Sequence, residues 1–477
     1  MTVSVDGVHL TREELVRVAR GGERVELTAE ARSRMELTRA VVERSRLRDD
    51  TVYGLSTGVG VLKRVGVSAG DADAYSTRMI RHHRVAQGPA ASRDTVRGTA
   101  LRLLNAFAEG SPGVRPALAD ALVDAIGKDR LPAVRSLGSV GQADLAQMAD
   151  LASGVFDGVQ LAAGEGLALL SSNAFSTASA ALAVTDAAAL LSTMETAAAL
   201  SLEGLAANPS MLHAAIARVR PYPGLAISLG TLRALLDGSF LWSDPPRQLQ
   251  DPLSFRNSPQ IIGAVRDVLA HMEDRLAIEL NASQGNPIVV PEEEAVVSVA
   301  DYEILPLSLA LDYLRLALVP ALGAAAERAV KLLETPWSGL PTGLSPDGGG
   351  EPGLSYLGIA VQSLAAETRL LAAPVSHELT STSHAEGIED RTTLAPLAAR
   401  RLAELVELGH RVVAVELAVA TQAVELRGSE PLGSGTSMAR RRIRSVVPYL
   451  GPGDVVPDLE PLVRLVASGA LAAAAPR

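Results

Sequence analysis

Tyr53, His82, His83 and Arg256 are the side chains here best suited to moving a proton or gripping an anion. Tyr53 heads a Gly/Ser/Thr-rich loop, Tyr53-Gly54-Leu55-Ser56-Thr57-Gly58-Val59-Gly60. A phenol near its ordinary pKa is a poor base at neutral pH. Base catalysis would need donors or a positive charge beside the phenolate. The run Arg81-His82-His83-Arg84 supplies positive charge nearby in sequence. A packing role is the alternative for Tyr53, and a supporting structural role for the histidines. Arg256 closes the segment Gln250-Asp251-Pro252-Leu253-Ser254-Phe255-Arg256. Its planar fork fits a carboxylate in two hydrogen bonds; a structural salt bridge is the alternative. No metal is expected, because adjacent helical residues point apart and no His/carboxylate pair has ligand spacing. The chain has no cysteine, which excludes disulfides and thiolate chemistry.

The elements that must hold these groups are helices. Of the 477 residues, 47% are hydrophobic but only 3% aromatic. A core of Ala, Leu and Val suits close-packed helices better than a β-sandwich. Helical patterns run over about 28–47, 72–107, 114–126, 164–207, 257–281, 303–335, 355–373 and 392–427, with Thr28 as a cap of the first. Residues 53–70 read as an ordered loop and 336–352 as a surface loop. Asp144, with Gln147 three residues on, predicts an N-cap and capping box for the next helix. Long, weakly charged helices in succession imply an all-α bundle. Residues 1–190 form an N-terminal part carrying the loops, and 191–477 a central bundle with C-terminal helices. No sharp linker separates them, so one integrated unit is expected.

A net charge of −10 disfavours nucleic acid. The cluster Arg440-Arg441-Arg442 with Arg444 reads as a solvated or subunit-facing surface. Residues 1–20 mix acids and bases without an apolar stretch, so no signal peptide is expected. Gly166–Thr185 is uncharged and long enough for a membrane span, but its Ser, Thr and Asn residues predict a helix buried in the bundle. The expectation is a soluble cytoplasmic protein without membrane contact, and the Ala-rich C-terminus is its one low-complexity stretch.

Several separated segments carry a resemblance. The Tyr53–Gly60 loop is similar to Tyr-Gly-Val-Thr-Thr-Gly-Phe-Gly, and Gln250–Arg256 to Gln-Asp-Pro-Tyr-Ser-Leu-Arg. Glu165–Leu170 resembles the helix before an Asn-Gly-Thr. Glu279-Leu280-Asn281 with Asn286-Pro287 resembles Glu-Leu-Asn…Asp-Asn-Pro, and Gly138-Ser139-Val140-Gly141 resembles the start of Gly-Ser-Val-Gly-Ala-Ser-Gly-Asp-Leu-Ala. All belong to the histidine/phenylalanine/tyrosine ammonia-lyase and aminomutase family, and the likeness covers about Thr28 to the C-terminus. It implies the long-helix central bundle of the fumarase/aspartase-like superfamily, assembled as a homotetramer whose active sites combine several subunits. It also implies catalytic roles for Tyr53, His83, Tyr302 and Glu389, with Tyr53 as base on the β-hydrogen. Substrate contacts are implied for Arg256, which grips the carboxylate, and for Ser171, Asn173, Gln250, Leu253 and Glu303.

In that family Ala-Ser-Gly cyclises into the electrophile methylidene-imidazolone (MIO), which takes up the amine's electrons. The loop here reads Gly141-Gln142-Ala143-Asp144, with neither the Ser whose hydroxyl leaves as water nor the following Gly. Ala152-Ser153-Gly154 and Ala467-Ser468-Gly469 lack the flanking glycines and read as helix packing. No MIO or other cofactor is expected. Other departures group around the same place. Ser171-Ser172-Asn173 replaces Asn-Gly-Thr, Leu253 replaces a Tyr, Gly285 an Asp, and Ala300-Asp301-Tyr302-Glu303 replaces Gly-Asn-Phe-His. Ile388-Glu389-Asp390 resembles Gln-Glu-Asp after a small insertion.

Three functions fit. One is a MIO-independent lyase, or its reverse addition, on a small substrate whose nitrogen leaves readily. A quaternary ammonium does so, as in the family's ergothionine trimethylamine-lyase type, but few aromatics are available for a cage around it. Another is a cofactor-free cyclase, dehydratase or isomerase of a specialised natural-product pathway. The third is a non-catalytic homologue, against which the retention of Tyr53 and Arg256 weighs.

Overall fold

Ala and Leu lose little side-chain freedom in a helix, and Ala lets helix axes approach closely. In the computed structural model, which describes residues 2–48, 50–347, 350–377 and 384–473, these residues build the long helices Ala174–Leu205, Ser258–Asn281, Leu305–Leu333 and Ala395–Arg427. The all-α expectation holds. Strands among the described residues form only two-stranded pairs: parallel Thr2–Val5 with Arg24–Leu27, and antiparallel Gln87–Ala90 with Arg135–Leu137 and Ile288–Val290 with Ala295–Val297.

Two expected helices are broken, each for a local reason. The 72–107 pattern divides into Ala72–His82 and Arg93–Glu109, because Gly88-Pro89 sits in the strand between them. The 164–207 pattern divides into Glu165–Leu170 and Ala174–Leu205, where Ser171-Ser172-Asn173 offers side-chain partners to the backbone. The Ser172 hydroxyl accepts from Ala174 N at 3.2 Å there. Thr28 caps Ala29–Leu47 as expected, accepting from Ala31 N. The surface loop contains a short helix, Thr335–Ser338. The stretch before Ile388 that holds the insertion, at 378–383, and residues 474–477 of the Ala-rich end lie outside the described residues.

The chain gathers into two units that interleave in sequence: Met1–Ala183 with Met272–Leu311 and Pro374–Arg400, and Val184–His271 with Asp312–Ala373 and Arg401–Arg477. The division falls inside Ala174–Leu205, and two later segments pack with the first unit. The first unit has a small apolar core of Val41, Val42, Val52, Leu55, Ala72, Ala163 and Val289 under the Tyr53 loop. Its fully buried Arg102 donates to the carbonyls of Glu279 (2.9 Å) and Ala282.

The second unit is pinned by buried ion pairs. Arg328 and Glu416 are both sealed from solvent, at 2.6 Å and 3.1 Å, and Arg266 meets Glu195 at 2.9 Å. The basic cluster is spent on local contacts: Arg440 pairs with Glu430, and Arg444 with Glu425. Two segments, Glu165–Leu205 and Leu305–Leu333, are long and apolar enough to cross a membrane. Yet 72% and 56% of their most apolar windows are buried inside the protein, as in core helices.

Candidate active site

The loop at Gln142 is shaped by its neighbours. Gly141 has φ +82°, and a Cβ there would lie 2.1 Å from the Thr393 hydroxyl, so only glycine fits. The Gly141 carbonyl accepts from Asn173 Nδ2 (3.1 Å) and Thr393 Oγ1 (2.8 Å). The Val140 carbonyl accepts from the amides of Thr393 and Leu394. Ala143 sits at φ +56°, a conformation that costs a non-glycine residue about 1 kcal/mol.

Asp144 corrects the expected capping box. It stands at the N-cap position of Leu145–Val155 but does not cap that helix. Its carboxylate turns away, accepting from Ser139 Oγ (2.9 Å), Ser176 Oγ (2.7 Å) and Ser176 N (2.7 Å). Asp144 therefore caps the first turn of Ala174–Leu205, whose positive end attracts a carboxylate. Gln147 donates instead to the Leu137 carbonyl. Burial pushes the Asp144 carboxyl up in pKa, against the three hydrogen bonds that lower it. Asp144→Ala would orphan the buried Ser176 N–H and hydroxyl at the start of Ala174–Leu205 and take a partner from Ser139, and we expect about 3 kcal/mol of destabilisation, read as a lower Tm by calorimetry. An unchanged Tm would show that the contacts are dispensable.

Beside this loop lies a cavity of about 820 Å³, lined entirely by first-unit residues. Of the residues singled out in the sequence, Tyr53, His82, His83, Tyr302, Glu389, Ser171, Gln142 and Ala143 line it. The Tyr53 hydroxyl accepts from Gly60 N at 2.8 Å. Burial raises the Tyr53 pKa, the Gly60 N–H opposes this, and Glu389, Tyr302 and Tyr75 raise it further. The charges acting on Tyr53 thus favour the neutral phenol, contrary to the expected help from Arg81–Arg84. Burial, Glu389 and Glu303 likewise raise Tyr302. His83 Nδ1 lies 2.8 Å from the Met79 carbonyl, an acceptor, so Nδ1 carries the proton and Nε2 is the basic nitrogen of the neutral ring.

Two departures prove to be one structural unit. Gln142 Nε2 donates to Glu303 Oε2 at 2.8 Å, and the two residues pair as an isolated antiparallel bridge. Glu303 Oε1 accepts from Leu305 N, so this carboxylate is engaged and does not line the cavity. Asn173 does not line it either; its amide holds Gly141. Gln250, Leu253 and Arg256 stand on the second unit, with Gln250 and Leu253 exposed. Arg256 Nε is buried without a hydrogen-bond partner among the described residues.

The structure adds Tyr75, Arg78 and Asn286 to the lining. Tyr75, Arg78, Met79 and His82 recur at helical spacing on Ala72–His82, a face that periodicity alone marks as common but not as a cavity wall.

A profile of the aromatic amino acid lyase family matches residues 10–158 and 155–445. The chain belongs to that family. Histidine ammonia-lyase of Symbiobacterium thermophilum is 34% identical over 98% of this chain and 97% of its own length. That of Alkaliphilus metalliredigens is 32% identical over 94% and 93%. Among solved structures, Trypanosoma cruzi histidine ammonia-lyase superposes with TM-score 0.90 at 27% identity, covering 99% and 94%. The ergothioneine-degrading ergothionase of Treponema denticola, solved with desmethyl-ergothioneine sulfonic acid, gives TM-score 0.94 at 24% identity over 99% of both chains; at that identity the likeness is one of fold.

Relatives in this lyase family use MIO, and the residues here do not fit it. Gln142 has no hydroxyl to lose, and no glycine amide follows it to close the ring. The other Ala-Ser-Gly runs are also unsuited. Ser153 lies within the helix Leu145–Val155, its hydroxyl donating to the Ala149 carbonyl at 2.7 Å. Ser468 caps the end of Glu460–Ala467, its hydroxyl donating to the Leu465 carbonyl at 2.8 Å.

Proposed function

We propose that this member of the family is a MIO-independent carbon–nitrogen lyase, working as an elimination or the reverse conjugate addition, on a small carboxylate-bearing, amino-acid-derived substrate. One observation carries the reading: Gln142, tied to Glu303 at 2.8 Å, stands where relatives hold the electrophile, on a loop whose anchors at Gly141 and Asp144 are intact. Without an electrophile the nitrogen must leave unaided. Tyr53 takes the β-hydrogen as a proton, the C–H pair becomes the new C=C bond, and the C–N pair departs with nitrogen. A quaternary ammonium then leaves as a neutral amine, and the phenol returns its proton to solvent. Arg256 holds the substrate carboxylate in a two-pronged grip.

The same reading includes a cytoplasmic homotetramer with shared sites and neither nucleic acid nor membrane as partner. Apolar side chains exposed on the second unit, Tyr313, Leu316, Ile359 and Leu370, support the assembly. A second reading, a cofactor-free cyclase, dehydratase or isomerase of a specialised pathway, draws support from the raised Tyr53 pKa, since a neutral phenol is an acid.

Amino-acid betaines assayed for trimethylamine release, together with intact mass, test the proposal. The expected result is release by a protein of unmodified mass. A mass two waters lighter, or no release from any betaine, would sink it; conversion without loss of amine would favour the second reading.

A further inference from the structure

Two guanidinium groups of the second unit meet at one corner of the backbone, and neither forms an ion pair with an acid among the described residues. We propose that this pair, Arg247 and Arg427, is a binding site for a small tetrahedral dianion of the phosphate class, seated at Ser338-Gly339. The site is independent of the lyase reading, and none of its residues lines the Tyr53 cavity.

The case starts from Arg427, the last residue of the helix Ala395–Arg427. Its Nε donates to the Gly204 carbonyl at 2.9 Å and its Nη2 to the Ser338 carbonyl at 2.6 Å. Both partners are neutral. Burial first, then the charge of Arg247, pull the Arg427 pKa down to about 10, and no acidic group counters them. A largely buried cation without a counter-ion is costly, and a second cation beside it adds repulsion.

Arg247 is that second cation. A Cβ on Gly339 would lie 2.9 Å from Arg247 Nη1 and 3.4 Å from its Cζ, so the guanidinium rests against the glycine that follows Ser338. Gly339 ends the short helix Thr335–Ser338 at φ +68°. Arg247 is exposed, and its side-chain nitrogens have no hydrogen-bond partner among the described residues. Asp251 feels the Arg247 charge but forms no ion pair with it; it is buried and accepts from Asn208 N at 2.7 Å. Arg427 Nη1 is also without a partner and is not sealed from solvent.

Donors therefore remain on both guanidinium groups. Their planar forks match phosphate oxygens. Two positive charges match two negative ones, so a bound dianion turns the repulsion into attraction on both sides. A monocarboxylate would leave one charge over.

The test is calorimetric titration of the assembled protein with inorganic phosphate at fixed ionic strength and about pH 8, where phosphate carries close to two charges. Acetate is the monoanion control. Phosphate is expected to bind at least about tenfold more tightly than acetate, and Arg247→Ala to weaken it about tenfold through lost charge-assisted hydrogen bonds. Arg247→Lys, which keeps the charge, loses less. Thermal unfolding gives a second readout: phosphate raises the Tm of the parent and not that of Arg247→Ala. No phosphate binding, or equal binding of acetate, overturns the proposal. Phosphate binding that Arg247→Ala leaves unchanged is an adventitious ion only and also overturns it. A protein that ignores phosphate but loses its assembly in Arg247→Ala would give the pair to an acid of a neighbouring copy instead.

Discussion

Tyr53→Phe will lower kcat/KM by roughly 10²- to 10⁴-fold, the range for loss of a general base, with little effect on folding. The ring stays, and only the hydroxyl that accepts from Gly60 N is removed, at about 1 kcal/mol. The pH profile carries the sign of the mechanism. The base is the phenolate, so the rate rises with pH. Burial first, then Glu389, Tyr302 and Tyr75, raise the Tyr53 pKa above its ordinary 10.0. The limb of kcat/KM, which reports the free enzyme, is therefore expected above the usual phenol range. The limb of kcat, which reports the complex, is expected lower if the bound substrate is cationic. A profile flat up to about pH 10 would remove Tyr53 as the base. The same variant tests the shared site. Co-expressed with Arg256→Ala, it should form mixed oligomers that regain activity, because one intact Tyr53 and one intact Arg256 can meet across subunits. Mixed oligomers as inactive as either parent would place both groups in one protomer's site.

Glu416→Ala is expected to cost about 3–5 kcal/mol, the consequence of leaving a buried cation without its partner. Arg328 is enclosed in the second unit, and Glu416 accepts from it and from Ser201 Oγ at 2.8 Å. The remaining Arg328 donor reaches the Ser254 carbonyl at 3.1 Å and the Ser258 hydroxyl at 3.3 Å. The pair therefore anchors the turn Leu253–Arg256, which carries the arginine proposed to grip the substrate carboxylate. Thermal denaturation should show a clearly lower Tm, and any folded fraction should bind carboxylate ligands more weakly. A variant as stable as the parent would mean that water or a shifted side chain satisfies Arg328.

Much of the fold is legible without coordinates. The ends of Ala29–Leu47, Ser258–Asn281 and Ala395–Arg427 fall within about three residues of where apolar periodicity and caps put them. Long periodic runs are the strongest local signal a chain carries. The misses lie where local chemistry has two uses. Asp144 before a helix is an ordinary N-cap by sequence, yet a second helix start lies within its reach and takes the carboxylate. Tyr75 gives no sign in sequence of facing a cavity, because one helical face can as well be core.

Sequence alone determines the family's helical fold and the absence of a Ser-Gly pair to build the electrophile, since both rest on residue type and order. Only the tertiary structure decides what stands in its place. Gln142 and Glu303 are 161 positions apart and meet as a hydrogen-bonded pair. Three scattered tyrosines meet Glu389 around one cavity. Contacts between positions so far apart depend on how the helices pack, which no local pattern records.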